Sequence, residues 1–209
     1  MKETVKNAEN RLQRRAKKTR KRLKKAALDV FSEKSIDAAT VEEITAKADV
    51  GKGTLYQHFT DKDEIAITLV QEAVDHLIER VKCYETSPTG LEDMLEHLLA
   101  AHHDFWVKAK DEFLLLFQGR LLVKLEPERM AELEQHYLRY LSAIEEEVSR
   151  YVTGRVDPLR VRHLACAVAG FVFGFFSFAM IGLEPEDMEN SMKALRQSFV
   201  RSLSYSLIS

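Results

Sequence analysis

Apolar residues recur at intervals of three and four along almost the whole chain, which is the spacing of amphipathic helices. In the first half of the chain this pattern predicts helices over residues 19–34, 62–84 and 91–108, with two short helices between the first pair. Only four prolines and eight glycines occur among 209 residues, too few for a chain rich in turns. We therefore predict an all-α fold that buries one sizeable core or two small ones.

Three helices of different character are predicted in the second half of the chain. Residues 113–123 are apolar on every side except Gln118 and Arg120, which indicates a helix that is buried all round. A buried guanidinium needs an anion or acceptors, so Arg120 is expected to meet an internal carboxylate or the acidic head of a ligand. A long helix after Pro127 and a final helix over residues 188–207 each carry one apolar stripe.

Residues 164–183 form an uncharged run that permits two interpretations. The run is long enough to cross a bilayer, which takes ~20 residues, and its Gly170-x-x-x-Gly174 spacing lets helices approach closely. A membrane-tethered or purely structural interaction protein is therefore one hypothesis. The amphipathic helix that follows favours the other, in which that helix, the chain's own core and the same run of a second subunit cover the apolar surface. We favour this second interpretation.

The stretch 40–62 has the layout of a helix-turn-helix. A short helix that begins at Thr40 buries one apolar face. After a turn at residues 49–51, a second short helix directs Leu55 and Phe59 inward, because residues four apart share a face. A helical hairpin that merely packs on the core would show the same pattern.

The outward residues of the second short helix suit a nucleic-acid surface. Lys52 is a point charge for a phosphate or a guanine edge, and Gly53 lets the backbone come close to a duplex. Tyr56 and His58 end in polar tips that can reach phosphate oxygens, and the N-terminus of the helix favours an anion. The candidate DNA-binding residues are Thr40, Gly51, Lys52, Gly53, Thr54, Tyr56, Gln57, His58 and Lys62.

Two capping signals bracket this stretch. Thr40 and Asp61 are each followed three residues later by a glutamate, which is the spacing of a capping box. Lys62 lies in the first turn of the helix that follows Asp61, where the helix dipole disfavours a cation. An anionic partner such as a DNA phosphate would remove that cost.

A specific set of spaced positions extends from about residue 23 to residue 65. It includes Ala26, Ala27, Phe31, Thr40, Val41, Ile44, Ala48, Val50, Lys52, Gly53, Thr54, Leu55, Tyr56, His58, Phe59 and Lys62. This set resembles the TetR (tetracycline-repressor-like) family of bacterial transcription regulators. The resemblance implies a three-helix DNA-binding domain and a helical ligand-binding and dimerisation domain, whose last two helices form a four-helix dimer interface. It also implies that Thr40 and Lys62 lie near phosphates.

The chain departs from the usual family pattern at three turn positions. Ser35 and Asp49 stand where glycine is common, and Gly51 stands where serine often caps the recognition helix. Aspartate tolerates a left-handed turn, and glycine is a weaker cap than serine by only roughly a few tenths of a kcal/mol. We therefore expect the fold to be kept.

Charge is spread unevenly, although the net charge is only −2. Up to Lys25 the chain carries twelve lysines and arginines against two glutamates, a distribution that suits a polyanionic partner. Residues 1–18 are expected to be a flexible basic arm that reaches an adjacent groove, or else a solvated tail or the exposed start of the first helix. The DNA-binding domain is then predicted at 19–65, and the ligand-binding and dimerisation domain at 66–209.

The central helices are expected to enclose an effector cavity. Its candidate lining residues are His102, Phe105, Trp106, Phe113, Phe117, Arg120, Phe175 and Phe178. An apolar lining suits a small hydrophobic effector such as a lipid, an acyl thioester or a drug-like molecule, although plain core packing also produces such an aromatic stripe. No metal site is expected, because His97, His102 and His103 lack carboxylate or cysteine partners at ligand spacing.

These features predict a cytoplasmic regulator of transcription that is not an enzyme. The sequence contains no Ser-His-Asp, metal-ligand or Gly-rich phosphate constellation, and we interpret Cys83 and Cys166 as reduced thiols. No cofactor is expected. The protein is predicted to be a homodimer, joined through about residues 157–207, that represses from a palindromic double-stranded DNA operator until its effector releases it.

Overall fold

The computed structural model describes residues 2–121, 124–152, 156–182 and 184–208. Every regular element in those ranges is an α-helix, so the all-α prediction is confirmed. The helices are α1 (Lys2–Lys34), α2 (Val41–Lys47), α3 (Lys52–Tyr56), α4 (Lys62–Lys82), α5 (Leu91–Lys108), α6 (Lys110–Leu121), α7 (Pro127–Ser149), α8 (Pro158–Gly182) and α9 (Pro185–Ile208).

α1 begins at Lys2, whereas the sequence favoured a flexible arm over residues 1–18. Lysine, arginine, glutamate, glutamine and alanine all favour helix, and no glycine or proline interrupts the first 34 residues. Local propensity therefore continues the helix ahead of Leu23, which is fully buried, and the side chains from Arg11 to Lys18 are all exposed. Residues 2–18 are therefore an extension of α1, and the exposed start of the first helix was one of the alternatives to an arm.

The chain divides into two compact units. The N-terminal unit comprises Met1–Ala73 and Asp111–Leu133, and the C-terminal unit comprises Val74–Lys110 and Glu134–Ser209. The sequence placed one boundary near residue 65 and gave no reason to group a later segment with the DNA-binding part. That later segment contributes α6 and the start of α7.

Gln118 of α6 and Arg129 of α7 join this later segment to the rest of the N-terminal unit. Gln118 Nε2 donates to the Phe31 carbonyl oxygen at 3.1 Å, and Gln118 Oε1 accepts the Ile36 N–H at 3.2 Å. Arg129 donates two parallel hydrogen bonds to the Asp61 carboxylate, at 2.8 and 2.7 Å. Polar contacts of this kind leave no trace in hydrophobic spacing, so the sequence analysis missed them.

The core of the N-terminal unit confirms the predicted inward faces of the first helices. Its fully buried apolar side chains include Leu23, Ala27, Phe31, Ile44, Leu55, Ile65 and Val70. Exposed ion pairs between Lys34 and Glu43 and between Lys47 and Glu33 also link α1 to α2. Such pairs contribute little to stability, so burial of the apolar faces determines how these helices pack.

α1 ends in a left-handed turn at Ser35, whose φ is 89°. The Ser35 N–H donates to the Phe31 carbonyl oxygen at 2.9 Å, which closes the last turn of the helix. A left-handed backbone costs a non-glycine residue ~1 kcal/mol or more. Asp49 also has a positive φ, 52°. Both positions at which glycine is common in the resembled pattern therefore do have the backbone that favours glycine.

Replacing Ser35 with glycine is expected to stabilise the N-terminal unit by about 0.5–1 kcal/mol. Glycine adopts this φ without steric cost, although it also adds entropy to the unfolded chain. Chemical denaturation of the variant and the wild type measures the difference. Ser35→Ala is the control, because it keeps the Cβ and loses only the long contact between Ser35 Oγ and the Ala38 N–H (3.4 Å). Equal stability of the two variants would contradict the strain at this turn.

α5, α8 and α9 pack together in the C-terminal unit. Over Pro158–Ala179, α8 is long and apolar enough to cross a membrane, and 33% of the most apolar window there is buried inside the chain. α9 buries Met192 and Val200 but leaves Leu195 exposed. The single chain therefore covers only part of the apolar surface of α8.

Arg120 is exposed, so the prediction that residues 113–123 are buried all round is wrong for this residue. Phe113, Leu115 and Leu116 are buried within α6, and Asp111 is exposed near the start of the helix. An exposed guanidinium is solvated and needs no internal carboxylate. The sequence of this stretch does not reveal which of its positions face solvent, because it contains too few polar residues.

Candidate DNA-binding surface and effector region

The N-terminus of α2 is closed by the capping box that the sequence predicted. Thr40 Oγ1 accepts the Glu43 N–H at 3.3 Å, and Glu43 Oε2 accepts the Thr40 N–H at 3.1 Å. Glu43 also pairs with Lys34, and hydrogen bonds from Lys34 and Thr40 lower the pKa of the Glu43 carboxyl. The Thr40 hydroxyl keeps its own proton available as a donor at the protein surface.

α1 supports both ends of α3 through two arginines that the sequence analysis treated only as basic surface. Arg22 donates from Nη2 to the carbonyl oxygen of Ala48 at 2.6 Å and to that of Asp49 at 3.2 Å, in the turn before α3. Arg20 donates from Nη1 to the His58 carbonyl oxygen at 2.5 Å, and its Cζ lies 3.9 Å from the centre of the Phe59 ring. The inward position of Arg20 was predictable from the sequence, because Arg20 lies three positions before Leu23 and therefore shares its buried face of α1.

The outward side of α3 is open to solvent. The side chains of Leu55 and Phe59 are buried, as predicted. A Cβ added at Gly53 would meet no atom within 4 Å, so packing within the protein does not require glycine there. A glycine of this kind permits close approach by an external surface. The exposed residues here are Gly51, Lys52, Gly53, Tyr56 and Gln57, while Thr54 and His58 are half-buried.

Lys52 is paired with Glu42 of α2 in the free protein. The hydrogen bond from Lys52 lowers the pKa of the Glu42 carboxyl, and the same contact raises the pKa of the Lys52 ammonium. Both side chains are largely exposed, so the pair is easily exchanged for another partner. A phosphate that binds Lys52 would have to displace Glu42.

Lys62 is bound inside the N-terminal unit. Its Nζ donates to the carbonyl oxygens of Ile36 (2.8 Å), Asp37 (2.8 Å) and Ala39 (2.9 Å). Three acceptors match the three hydrogens of an ammonium group, and they offset the unfavourable position of a cation at a helix N-terminus. A phosphate contact of Lys62 remains a prediction, whereas its structural role in holding the loop after α1 is visible.

Asp61 caps α4 and also receives Arg129. Asp61 Oδ1 accepts the Glu64 N–H at 2.9 Å. Burial alone would raise the pKa of Asp61, but hydrogen bonds from Glu64 N–H and Arg129 outweigh it and hold the pKa below its usual value. In a capping box Glu64 would accept the N–H of Asp61. Here Glu64 Oε2 accepts the N–H of the preceding residue, Thr60, at 2.6 Å.

Aromatic rings join α5, α8 and α9 in the C-terminal unit. Trp106 of α5 stacks on Phe176 of α8, with ring centroids 4.7 Å apart and an interplanar angle of 16°. Phe175 meets Phe176 edge-on at 5.5 Å, and Phe171 stacks on Phe199 of α9 at 4.2 Å. Trp106 and Phe175 were predicted to line an effector site. The sequence did not single out Phe171, Phe176 or Phe199 as effector residues, although each belongs to the apolar pattern of its helix.

His102 is buried and uses both ring nitrogens inside the C-terminal unit. Nδ1 donates to the Leu98 carbonyl oxygen at 2.5 Å, and Nε2 accepts the Tyr140 hydroxyl at 2.5 Å. Burial lowers the pKa of His102 to about 4, so the ring is neutral at pH 7, as one donor and one acceptor require. A ligand contact of His102 remains a prediction, and such a ligand would have to displace Tyr140.

The remaining predicted effector residues lie in different places. Phe105 is fully buried in the C-terminal unit, whereas Phe178 is 77% exposed on the outer face of α8 and lines no interior surface of this chain. Phe113, Phe117 and Arg120 belong to the N-terminal unit, where Phe113 is buried, Phe117 is half-buried and Arg120 is exposed. Among the side chains that the structure describes, no cluster of three or more His, Cys, Asp or Glu is placed to bind a metal ion.

The N-terminal unit therefore has the parts of a DNA-binding domain. A capped helix, a turn held by Arg22 and a short helix with an exposed polar side follow one another as in helix-turn-helix proteins. This arrangement, ahead of a helical C-terminal unit, defines a helix-turn-helix transcriptional regulator.

Comparison with known proteins identifies the family. Residues 23–69 match the family model of bacterial regulatory proteins, tetR family. The HTH-type transcriptional activator FasR from Mycolicibacterium smegmatis is 30% identical over 172 residues, which cover 82% of this chain and 77% of FasR. The chain belongs to the tetR family, as the positions between residues 23 and 65 predicted.

Two further proteins show how far the likeness extends. The HTH-type transcriptional regulator YxbF from Bacillus subtilis is 37% identical over 98 residues, 44% of this chain, and the match spans only 26% of YxbF. The transcriptional regulator FadR from Bacillus subtilis, solved in complex with stearoyl-CoA, superposes with a TM-score of 0.67 over 87% of this chain and 96% of FadR. Its sequence is 20% identical, so this likeness concerns the fold.

Proposed function

We propose that the protein is a homodimeric transcriptional repressor that binds a roughly palindromic operator through α3 and leaves it when a small hydrophobic effector binds. The observation that carries the proposal is the outward side of α3, where Tyr56 is 56% exposed beside fully buried Leu55. An exposed aromatic ring flanked by Lys52 and Gln57 adds little to packing in the free protein. The major groove of DNA accepts a helix with such side chains.

Replacing Tyr56 with alanine is expected to weaken operator binding by about 10- to 100-fold, the usual effect of losing one good groove contact. Lys52→Ala should also weaken binding, chiefly through a lost phosphate contact. Circular dichroism and sedimentation should match the wild type, because neither side chain is part of the core. Fluorescence anisotropy with the DNA upstream of the protein's own gene measures the affinities.

Glu42→Gln is the matched variant, which is expected to strengthen operator binding instead of weakening it. It frees Lys52 from its ion pair and removes a negative charge beside α3, so the operator should bind more tightly and with a steeper dependence on salt. Wild-type affinity in both Tyr56→Ala and Lys52→Ala would refute the proposed role of α3.

The homodimer is proposed to form through α8 and α9, over about residues 157–207. Two observations on α8 support it. Phe178 and Ile181 are 77% and 84% exposed, and an added Cβ at Gly170 or Gly174 would meet no atom within 4 Å. A second copy would bury the two apolar side chains and could approach closely along the glycines, which a two-fold symmetric interface allows.

A membrane tether through residues 164–183 is the alternative, and it rests on the length and hydropathy of α8. Release from the membrane fraction only by detergent would favour the tether, whereas a dimer that stays soluble without detergent would exclude it. We infer a cytoplasmic location, which the free and exposed Cys83 and Cys166 support, because such thiols persist in a reducing compartment.

The effector is proposed to be a long-chain acyl thioester or a related hydrophobic molecule. The rings of α5, α8 and α9 offer apolar contacts, and FadR, which shares the fold, was solved with stearoyl-CoA. To act as an inducer, the molecule must bind best to the form whose two α3 helices are badly spaced for the operator. Native mass spectrometry of the purified protein reports both the subunit number and any co-purifying molecule.

FasR is described as an activator, so a reporter-gene assay is needed to decide whether this protein represses or activates transcription.

A further inference from the structure

We propose that the outer face of α1 is a second DNA-binding surface, which contacts phosphates beside each half-site that α3 binds. This surface, called the cationic strip below, consists of Arg11, Arg14, Lys18, Lys21 and Lys25. The inference rests on the proposed function, since it requires that α3 bind DNA.

The strip is one continuous face of a regular helix. Its residues recur at intervals of three and four, which places them on the same side of α1, and all of them are exposed. The opposite side carries Leu23 and Ala27, which are fully buried in the core. At 1.5 Å per residue the strip is about 21 Å long. Because the helix already fixes the charges in a row, binding a polyanion needs no ordering of a flexible arm.

The strip differs from seven other cations of the N-terminal unit, which are bound within the protein. The ion pairs are Lys24–Glu72, Lys34–Glu43, Lys47–Glu33 and Lys52–Glu42. Arg20, Arg22 and Lys62 donate to backbone carbonyls. By contrast, the strip residues form no ion pair and no side-chain hydrogen bond with the part of the chain that the structure describes. Their charge is therefore available to an external anion.

Arg22 shows where the strip lies relative to α3. Arg22 follows Lys18 by four positions and precedes Lys25 by three, and it binds the Ala48 carbonyl oxygen at the turn that leads into α3. The strip thus runs past this turn, and Arg11 and Arg14 continue it ahead of the helix-turn-helix. A duplex that meets α3 brings a dense row of phosphates to this side of the unit, and these complement the charges of the strip.

The double variant Arg14→Gln/Lys18→Gln tests the inference. Each lost phosphate contact makes the slope of log K against log salt shallower by ~0.9. Four substitutions in a dimer should therefore reduce the slope by about 2–4 and weaken operator binding roughly 10- to 100-fold near physiological salt. Preference for the operator over a scrambled duplex should persist, because phosphate contacts carry no sequence information. Circular dichroism verifies that the variant is folded.

Arg120→Gln/Lys124→Gln is the matched control, because both positions are exposed and the change in charge is the same. Gln118, close by on α6, binds Phe31 near the far end of α1, about 15 Å along the helix from Lys21. The control should keep the wild-type slope.

Four outcomes separate the inference from the proposed function. An unchanged slope in the strip variant, with a wild type that prefers its operator, would overturn the strip and leave the role of α3 intact. Equal losses in both double variants would also overturn it, since they would indicate a general effect of charge. A wild type with no preference among duplexes would refute the proposed function itself. Loss of binding to anionic lipid vesicles, with DNA binding unchanged, would assign the strip to a membrane surface and overturn the inference.

Discussion

Replacing Lys62 with methionine is expected to destabilise the N-terminal unit by about 2–3 kcal/mol. Methionine keeps the apolar stem but removes the ammonium group, so the carbonyl oxygens of Ile36, Asp37 and Ala39 lose their shared donor. Hydrogen bonds to a charged group are each worth roughly 1.5–3 kcal/mol, and partial access of water to this site keeps the total below their sum. The same change relieves a cation at the N-terminus of α4, which offsets a small part of the loss.

Hydrogen exchange measures this loss locally. Amides in residues 36–48 of Lys62→Met should exchange faster than in the wild type, because the loop after α1 and the α2 cap lose their link to α4. Lys82→Met is the control at the other end of the same helix, where Lys82 forms an exposed ion pair with Glu146, and it should leave these amides unchanged. Wild-type exchange in Lys62→Met together with weaker DNA binding would show that Lys62 serves only as a phosphate contact.

Acidification is expected to destabilise the C-terminal unit through His102. The pKa of His102 is about 4 in the folded protein and near 6.5 in the unfolded chain. Between these values the unfolded chain binds the proton and the folded protein does not, so stability is full above about pH 6.5 and falls as the pH drops towards 4. The shift corresponds to ~3 kcal/mol when fully expressed, of which about 2 kcal/mol is lost by pH 5.

Guanidinium denaturation followed by Trp106 fluorescence measures this effect, since Trp106 is the only tryptophan and lies one turn from His102 on α5. His102→Gln cannot take up the proton and should lose most of the change in stability between pH 7.5 and pH 5. Tyr140→Phe removes the hydroxyl that donates to His102 Nε2 but leaves the imidazole buried. This variant should therefore retain the pH dependence of stability. An identical dependence in wild type and His102→Gln would assign the effect to other groups.

Local pattern was enough to predict the helix-turn-helix. The inward faces of α2 and α3 follow from helical periodicity, and the α2 cap joins Thr40 to Glu43, three residues away. Asp49 adopts the left-handed backbone that its place in the turn implied. These features depend on residues within one or two helical turns of each other, so the sequence alone contains the necessary information.

Long-range polar contacts were not predictable in the same way. Gln118 binds a carbonyl 87 residues earlier, and Arg129 binds a carboxylate 68 residues earlier. Neither residue differs in type from an ordinary surface glutamine or arginine. Their partners are set by how the helices pack, so the grouping of α6 with the DNA-binding part emerges only in three dimensions.

The effector region shows a second limit of sequence reasoning. Phe176 is buried against Trp106, yet Phe178, two residues later, is mostly exposed. In an uncharged helix such as α8, both sides are apolar, so composition does not tell which rings face the core and which face a partner. The same ambiguity made the membrane tether a rival interpretation. The exposed Phe178 and Ile181 of α8 belong to the surface that we propose a second copy buries.

Selection from a pool of random-sequence duplexes with the purified protein is the most direct test of the central claim. Two copies of α3 held in a symmetric dimer should enrich an inverted repeat, and the Tyr56→Ala variant should enrich it far less. Enrichment of no sequence at all would contradict the account, and so would a single, unrepeated half-site.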